Sequence, residues 1–186
     1  LNWDTSSVTT MTSMFRQAYS FNQPLNWDTS SVTTMGSMFH TATSFNSALN
    51  FSDTSGVTSM TYMFYKASAF NSTLNSSDTS GVTDMTSMFR EATSFNQPLT
   101  FDTSSVTNMS NMFYKAYAFN QPLNFDTSIV TSMKQMFESA TSFNQPLNFD
   151  TSSVTNMSSM FRNASSFNYT LNWDTSSVLS MLEMFQ

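Results

Sequence analysis

Residues 25–48 read LNWDTSSVTTMGSMFHTATSFNSA, and this pattern returns along all 186 residues. All 16 Met residues fall on two positions of the pattern, and all 19 Phe and three Trp residues fall on three others. Such phase-locking is the signature of a tandem repeat, here of about 7.7 units. Because the last unit is incomplete, we expect the sequence to be an excerpt of a longer chain. The units span residues 1–24, 25–48, 49–73, 74–98, 99–122, 123–146, 147–170 and 171–186.

A unit of this size is too small to bury its own apolar face, so neighbouring units must stack to share one core. The alternation in Leu-Asn-Trp predicts a short strand, and the i, i+3, i+4, i+7 spacing from Met35 to Ala42 predicts one or two helical turns. We therefore predict a repeat solenoid with a parallel β-strand ladder and short helical turns. A parallel β-helix is the alternative. The side chains predicted to point inward are Leu25, Trp27, Val32, Met35, Met38, Phe39, Ala42 and Phe45.

Residues 28–51 carry a family resemblance, through Asp28-Thr29-Ser30-Ser31-Val32, Met35, Met38-Phe39 and Phe45-Asn46. They resemble the BspA-like leucine-rich repeats in their mycoplasma-lipoprotein-type surface-protein form. The resemblance implies a leucine-rich-repeat-like α/β solenoid of about 24 residues per coil, with a parallel sheet on one side. It also implies an extracellular or cell-surface setting and a role in adhesion, and it transfers no catalytic residues. Ser76 stands where other units have Trp or Phe, which predicts a local bulge or kink.

Eight of the nine Asp residues share one position of the unit. In the motif Asp-Thr-Ser, an Asp side chain typically accepts backbone N–H groups two or three residues later. We favour this structural role. The alternative is a ladder of calcium sites, because calcium prefers carboxylate oxygens, although no acidic glycine-rich loop supplies the further ligands. The calcium ladder would comprise Asp28, Asp53, Asp78, Asp102, Asp126 and Asp150.

An Asn after the second Phe also recurs in every full unit, for example Asn22 and Asn46. A glycan-binding or ice-binding array is one interpretation of this column. We favour an internal ladder that satisfies backbone groups at the corner of the coil. The Asn of Leu-Asn-Trp alternates with two inward residues, so we expect it to face solvent.

The composition excludes several classes of protein. Net charge is −6 and only 10% of residues are charged, so the sequence lacks the cationic stripe that binding of nucleic acid requires. No apolar run is long enough to span a membrane. There is no Cys, and His40 is the single His, without a partnered nucleophile in the motif. We therefore predict a protein that is not an enzyme and has no cofactor.

Specific recognition should lie where the units differ, because the shared positions are scaffold. Five of the six basic residues follow Met-Phe, together with His40 and two Tyr residues. Exposed Tyr and Arg often anchor protein interfaces, although a solvated surface would look the same. We predict an adhesion or interaction scaffold for a protein or glycan partner; the alternative is a stalk or filament that self-associates end to end. The candidate contact residues are Arg16, His40, Tyr65, Lys66, Arg90, Tyr114, Lys115 and Arg162.

Overall fold

The computed structural model describes residues 3–74 and 78–186. Within these ranges the regular elements are two strands, β1 (Leu25–Trp27) and β2 (Leu49–Phe51). They pair in parallel, with Leu25 opposite Leu49 and Trp27 opposite Phe51. The paired residues occupy the same position of consecutive units, so the predicted parallel pairing is present between units two and three.

A second line of parallel pairing runs through all eight units. It consists of isolated bridges between residues that lie two positions after the Val shared by all eight units. Each bridge joins a residue to its equivalent in the next unit, so the units lie side by side in sequence order. The bridges are Thr10–Thr34, Thr34–Ser59, Ser59–Asp84, Asp84–Asn108, Asn108–Ser132, Ser132–Asn156 and Asn156–Ser180.

The segment after each bridge is a run of overlapping turns, and its amides alternate between two kinds of partner. The amide of Met38 donates to the Met35 carbonyl three residues earlier, at 3.2 Å. The next amide, that of Phe39, donates across to the Met63 carbonyl of the following unit, at 2.8 Å. Successive units are therefore tied together by backbone bonds along the turns as well as at the bridges.

The predicted helical turns are wrong for the described residues, in which no helix occurs. Ser37 and Thr41 have φ of 57° and 59°, and the described part of every complete unit has two such residues. A right-handed helix requires negative φ at every residue, so these positions interrupt it. Met35, Met38 and Ala42 are all buried. The turn run therefore buries every third or fourth side chain, as a helix would, and this spacing alone cannot distinguish the two.

The predicted core is confirmed, since all eight inward residues of unit two are at most 2% exposed. Two columns of Phe rings stack through the units. Phe39 lies 5.5 Å from Phe64 in the next unit, between ring centroids, and 4.1 Å from Phe45 in its own unit. The solvent-facing position predicted for Asn26 is also confirmed. The core is thus one continuous layered structure shared between units.

The bulge predicted at Ser76 lies outside the described residues. Assignment of the whole chain to a leucine-rich-repeat-like solenoid, in preference to a parallel β-helix, stays a prediction, as do the unit boundaries. The fold matters here because the bridges and the turn run align each unit with the next, so that equivalent residues are neighbours. Side chains at one position of the unit therefore form columns on the surface.

Candidate functional site

The eight candidate residues after Met-Phe, from Arg16 to Arg162, define what we call the contact ridge. Its centre is a row of planar side chains from four consecutive units. The His40 and Tyr65 rings are 4.6 Å apart between centroids. The Arg90 guanidinium carbon lies 5.7 Å from the Tyr65 centroid and 4.3 Å from that of Tyr114. The guanidinium is thus held between two phenol rings, an arrangement favoured by cation–π attraction.

Each of these Tyr residues also contacts the Lys that follows it. Lys66 Nζ lies 5.2 Å from the Tyr65 ring centroid, and Lys115 Nζ lies 5.1 Å from that of Tyr114. Hydrogen bonding to the adjacent Tyr is the main cause that raises the pKa of each Lys above its ordinary value. Both ammonium groups are therefore charged at neutral pH. Since both segments read Phe-Tyr-Lys-Ala, the same local site occurs twice, two units apart.

Glu91 lies within this row and was not among the predicted residues. Its carboxylate is 3.7 Å from Lys66 Nζ and 3.5 Å from Arg90 Nε. The three side chains keep 25–45% of their surface exposed, so the pairs contribute little to stability, and their main effect is to orient two cations. Sequence analysis missed Glu91 because it considered only basic and aromatic residues of the two columns.

The two ends of the ridge are less tightly connected to its centre. Burial is the main cause that lowers the pKa of His40, and the positive charge of Arg16 lowers it further, so His40 is neutral at pH 7. Arg162 pairs with Glu183, with 2.9 Å between Nη1 and Oε2. Four other exposed aromatic residues vary between units, and Tyr62 and Tyr117 lie on the turns that flank the ridge centre. The ridge centre, from His40 to Lys115, is therefore the densest group of candidate contact residues.

The Asp column forms the predicted turns. Asp28 Oδ1 accepts hydrogen bonds from the Ser30 amide at 3.0 Å and from its hydroxyl at 2.7 Å. An equivalent amide bond occurs at all eight Asp residues. These bonds lower the pKa of Asp28 below its ordinary value. No cluster of three potential metal-ligating side chains occurs in residues 3–74 and 78–186, and calcium binding by the column stays the untested alternative.

The Asn column forms a ladder in which each side chain bonds the next unit. Asn22 Oδ1 accepts the Asn46 amide at 2.9 Å, and Asn46 Oδ1 accepts the Asn71 amide at 2.7 Å. The backbone-satisfying role is therefore confirmed. The predicted internal position is wrong, because these Asn residues are exposed or half-buried at the edge of the core.

A buried Thr column escaped the sequence analysis. Thr103 is 1% exposed, and its hydroxyl donates to the Asp126 carbonyl of the next unit at 2.9 Å. The same bond occurs at the equivalent Thr of six other units. The signal was available, because a Thr follows the Asp in every unit.

Among the described residues, none forms a helix long and apolar enough to cross a membrane. No curated protein and no solved structure matches the chain. One family model matches it twice, over residues 1–101 and 99–186, which together cover every unit. The chain belongs to the family described as Mycoplasma protein of unknown function, DUF285.

Proposed function

We propose that this protein is a non-enzymatic interaction scaffold of the BspA-like leucine-rich-repeat type, which acts in adhesion outside the cell or at its surface. The observation that carries the proposal is the ridge centre, in which Arg90 lies between the rings of Tyr65 and Tyr114. The association of the matched family with BspA-like surface proteins supports the setting.

The physical case rests on preorganisation. Tyr and Arg are the residue types most often found as anchors of protein interfaces. A side chain that is already held by its neighbours loses less conformational entropy when a partner binds. The stacked row from His40 to Tyr114 meets this condition, because each planar group is held by the one in the next unit. A merely solvated surface has no need of such order.

The proposal is tested by binding of the purified protein to an immobilised panel of extracellular proteins and glycans. For any ligand that binds, Tyr65→Ala with Tyr114→Ala should weaken the affinity at least tenfold. Tyr169→Ala removes an exposed Tyr outside the ridge and should leave the affinity within twofold. Equal effects of the two changes, or no ligand in the panel, would count against a contact role for the ridge.

A structural stalk or filament is the second candidate. The observation that favours it is the set of backbone bonds between units. The Phe39 amide donates to the Met63 carbonyl of the following unit, and the Thr58 amide donates back to the Thr33 carbonyl of the preceding unit. Each end of such a stack therefore has both unpaired amides and unpaired carbonyls, which can pair with the opposite end of a second copy. Negative-stain electron microscopy of the native full-length protein separates the candidates. Discrete particles favour the interaction scaffold, and long filaments favour the structural role.

A further inference from the structure

The ridge centre offers hydrogen-bond donors and positive charge. His40, Lys66 and Arg90 all lie against the Tyr65 ring, and Arg90 and Lys115 lie against the Tyr114 ring. A ligand ring therefore cannot stack on these phenols, since protein groups already occupy their faces. What remains for a partner are phenol hydroxyl, guanidinium and ammonium donors. Such a surface suits a ligand rich in acceptor oxygens and negative charge.

Its charge also differs from that of the whole chain. The ridge centre carries Lys66, Arg90 and Lys115 against one carboxylate, that of Glu91, whereas the chain has a net charge of −6. Lys115 forms no ion pair with any described carboxylate. At physiological ionic strength the Debye length is about 8 Å, so exposed carboxylates farther than this from the ridge are largely screened.

The spacing of the two Tyr-Lys sites limits the kind of anion. They lie two units apart, with Arg90 between them, which corresponds to about 10 Å at the usual interval between parallel strands. An extended peptide presents same-side residues about every 6.6 Å, and a DNA duplex carries a charge about every 1.7 Å of its axis. An extended disaccharide is close in length to the two-unit interval.

We propose that the ridge centre binds a linear acidic polysaccharide with one carboxylate in each disaccharide. This inference rests on the proposed function, because it names the partner class of the same surface. Successive carboxylates pair with Lys66 and Lys115, Arg90 donates to the sugar between them, and the Tyr hydroxyl groups bond ring oxygens. No apolar contact is required, so affinity comes from several weak charge-assisted bonds repeated along the polymer.

The test uses hyaluronan octasaccharide as the probe and the full chain as the protein. The combined change Lys66→Gln and Lys115→Gln should weaken binding at least tenfold. Lys134→Gln removes the one lysine outside the ridge and should leave binding within twofold. Lys66→Arg with Lys115→Arg keeps both charges and should restore most of the affinity, which separates lost charge from lost folding. Neutral chitin oligosaccharide should not bind.

Three outcomes overturn the inference: no saturable binding of hyaluronan, equal loss in Lys134→Gln, or tighter binding of poly-glutamate than of hyaluronan. The ligand panel tested with Tyr65→Ala and Tyr114→Ala distinguishes failure of the polysaccharide inference from failure of the proposed function. If that panel finds a ridge-dependent ligand while hyaluronan does not bind, only the polysaccharide inference falls. If neither experiment finds a ridge-dependent ligand, both fall.

Discussion

At Thr103, one hydroxyl joins two units in the interior of the protein. Its bond to the Asp126 carbonyl is buried, so Thr103→Val should leave that carbonyl without a partner while keeping the side-chain volume. We expect the free energy of unfolding to fall by about 1–3 kcal/mol. Urea unfolding followed by circular dichroism measures this change. Thr100→Val, at an exposed position of the same unit, is the control and should change it by about 0.5 kcal/mol or less. Equal effects would contradict the role assigned to the buried Thr column.

Gly81 is required by close approach of two units. A Cβ at this position would lie 2.8 Å from the Ser55 carbonyl oxygen, and a backbone atom cannot easily move away. Gly81→Ser should therefore destabilise the protein by about 1–3 kcal/mol, although most 24-residue units carry Ser there. At Gly36 the nearest atom to an added Cβ is the Thr61 hydroxyl, at 3.3 Å, which can rotate. Gly36→Ser should leave the melting temperature unchanged or raise it. The opposite order of the two variants would refute this account.

The Asp column should make the stability of the protein depend on pH. Hydrogen bonds from Ser104 are the main cause that holds the pKa of Asp102 below its ordinary 3.8, so the unfolded chain binds the proton more readily. The stabilisation is present above the unfolded pKa and is lost as pH falls through the folded one. We expect a melting temperature that is level above about pH 5 and declines below about pH 3.8.

Repulsion between neighbouring carboxylates acts in the opposite direction. The charges of Asp102 and Asp150 raise the pKa of Asp126, but less than the bonds from Ser128 lower it. A melting temperature that rises on acidification would mean that repulsion is the larger effect. Asp102→Asn keeps an acceptor for the Ser104 amide without a titrating group. It should therefore reduce the decline.

At the scale of the element, the turn run depends on residues with positive φ. Ser139 has φ of 58°, and its amide bonds the Arg162 carbonyl at 2.7 Å. Asn tolerates this conformation well, whereas a β-branched side chain does not. Ser139→Asn should raise the melting temperature slightly, and Ser139→Val should lower the free energy of unfolding by about 1–2 kcal/mol. Ser142→Asn and Ser142→Val, three residues on, where φ is not positive, should not show this pair of opposite signs.

The sequence predicted the core and the strand-like pairing better than the turns. Leu25 and Trp27 alternate with Asn26, and burial follows that alternation because a strand turns successive side chains to opposite faces. The turn run was predicted as helix because periodicity reports only which side chains are buried. It does not report the carbonyl to which each amide donates. Positive φ is usually signalled by Gly, and the residues that adopt it here are Ser37 and Thr41.

The contact ridge could likewise be predicted from the sequence only in part. Its residues could be chosen from the sequence because they vary where the scaffold repeats. Their contacts could not, since the position of Arg90 between Tyr65 and Tyr114 depends on how far apart the units lie. Glu91 was missed because its effect on Lys66 and Arg90 appears only when neighbouring units are placed side by side.

At the scale of the whole molecule, the account depends on one relation between the units. Equivalent residues must be neighbours, because the core columns, the ladders and the contact ridge all follow from that register. The bridge between Thr34 and Ser59 places these two residues side by side, and Asp84 lies one unit further on. The chain contains no Cys, so any disulfide in a variant with two introduced Cys residues must involve those residues.

The most direct measurement is therefore cross-linking of introduced Cys pairs under mild oxidation, followed by mass spectrometry. A pair in adjacent units lies about 5 Å apart between Cα atoms, within the range of a disulfide, whereas a pair two units apart lies about 10 Å apart. The account predicts that Thr34→Cys with Ser59→Cys forms a disulfide, and that Thr34→Cys with Asp84→Cys stays reduced. Failure of the first pair to cross-link, or equal cross-linking of both, would contradict it.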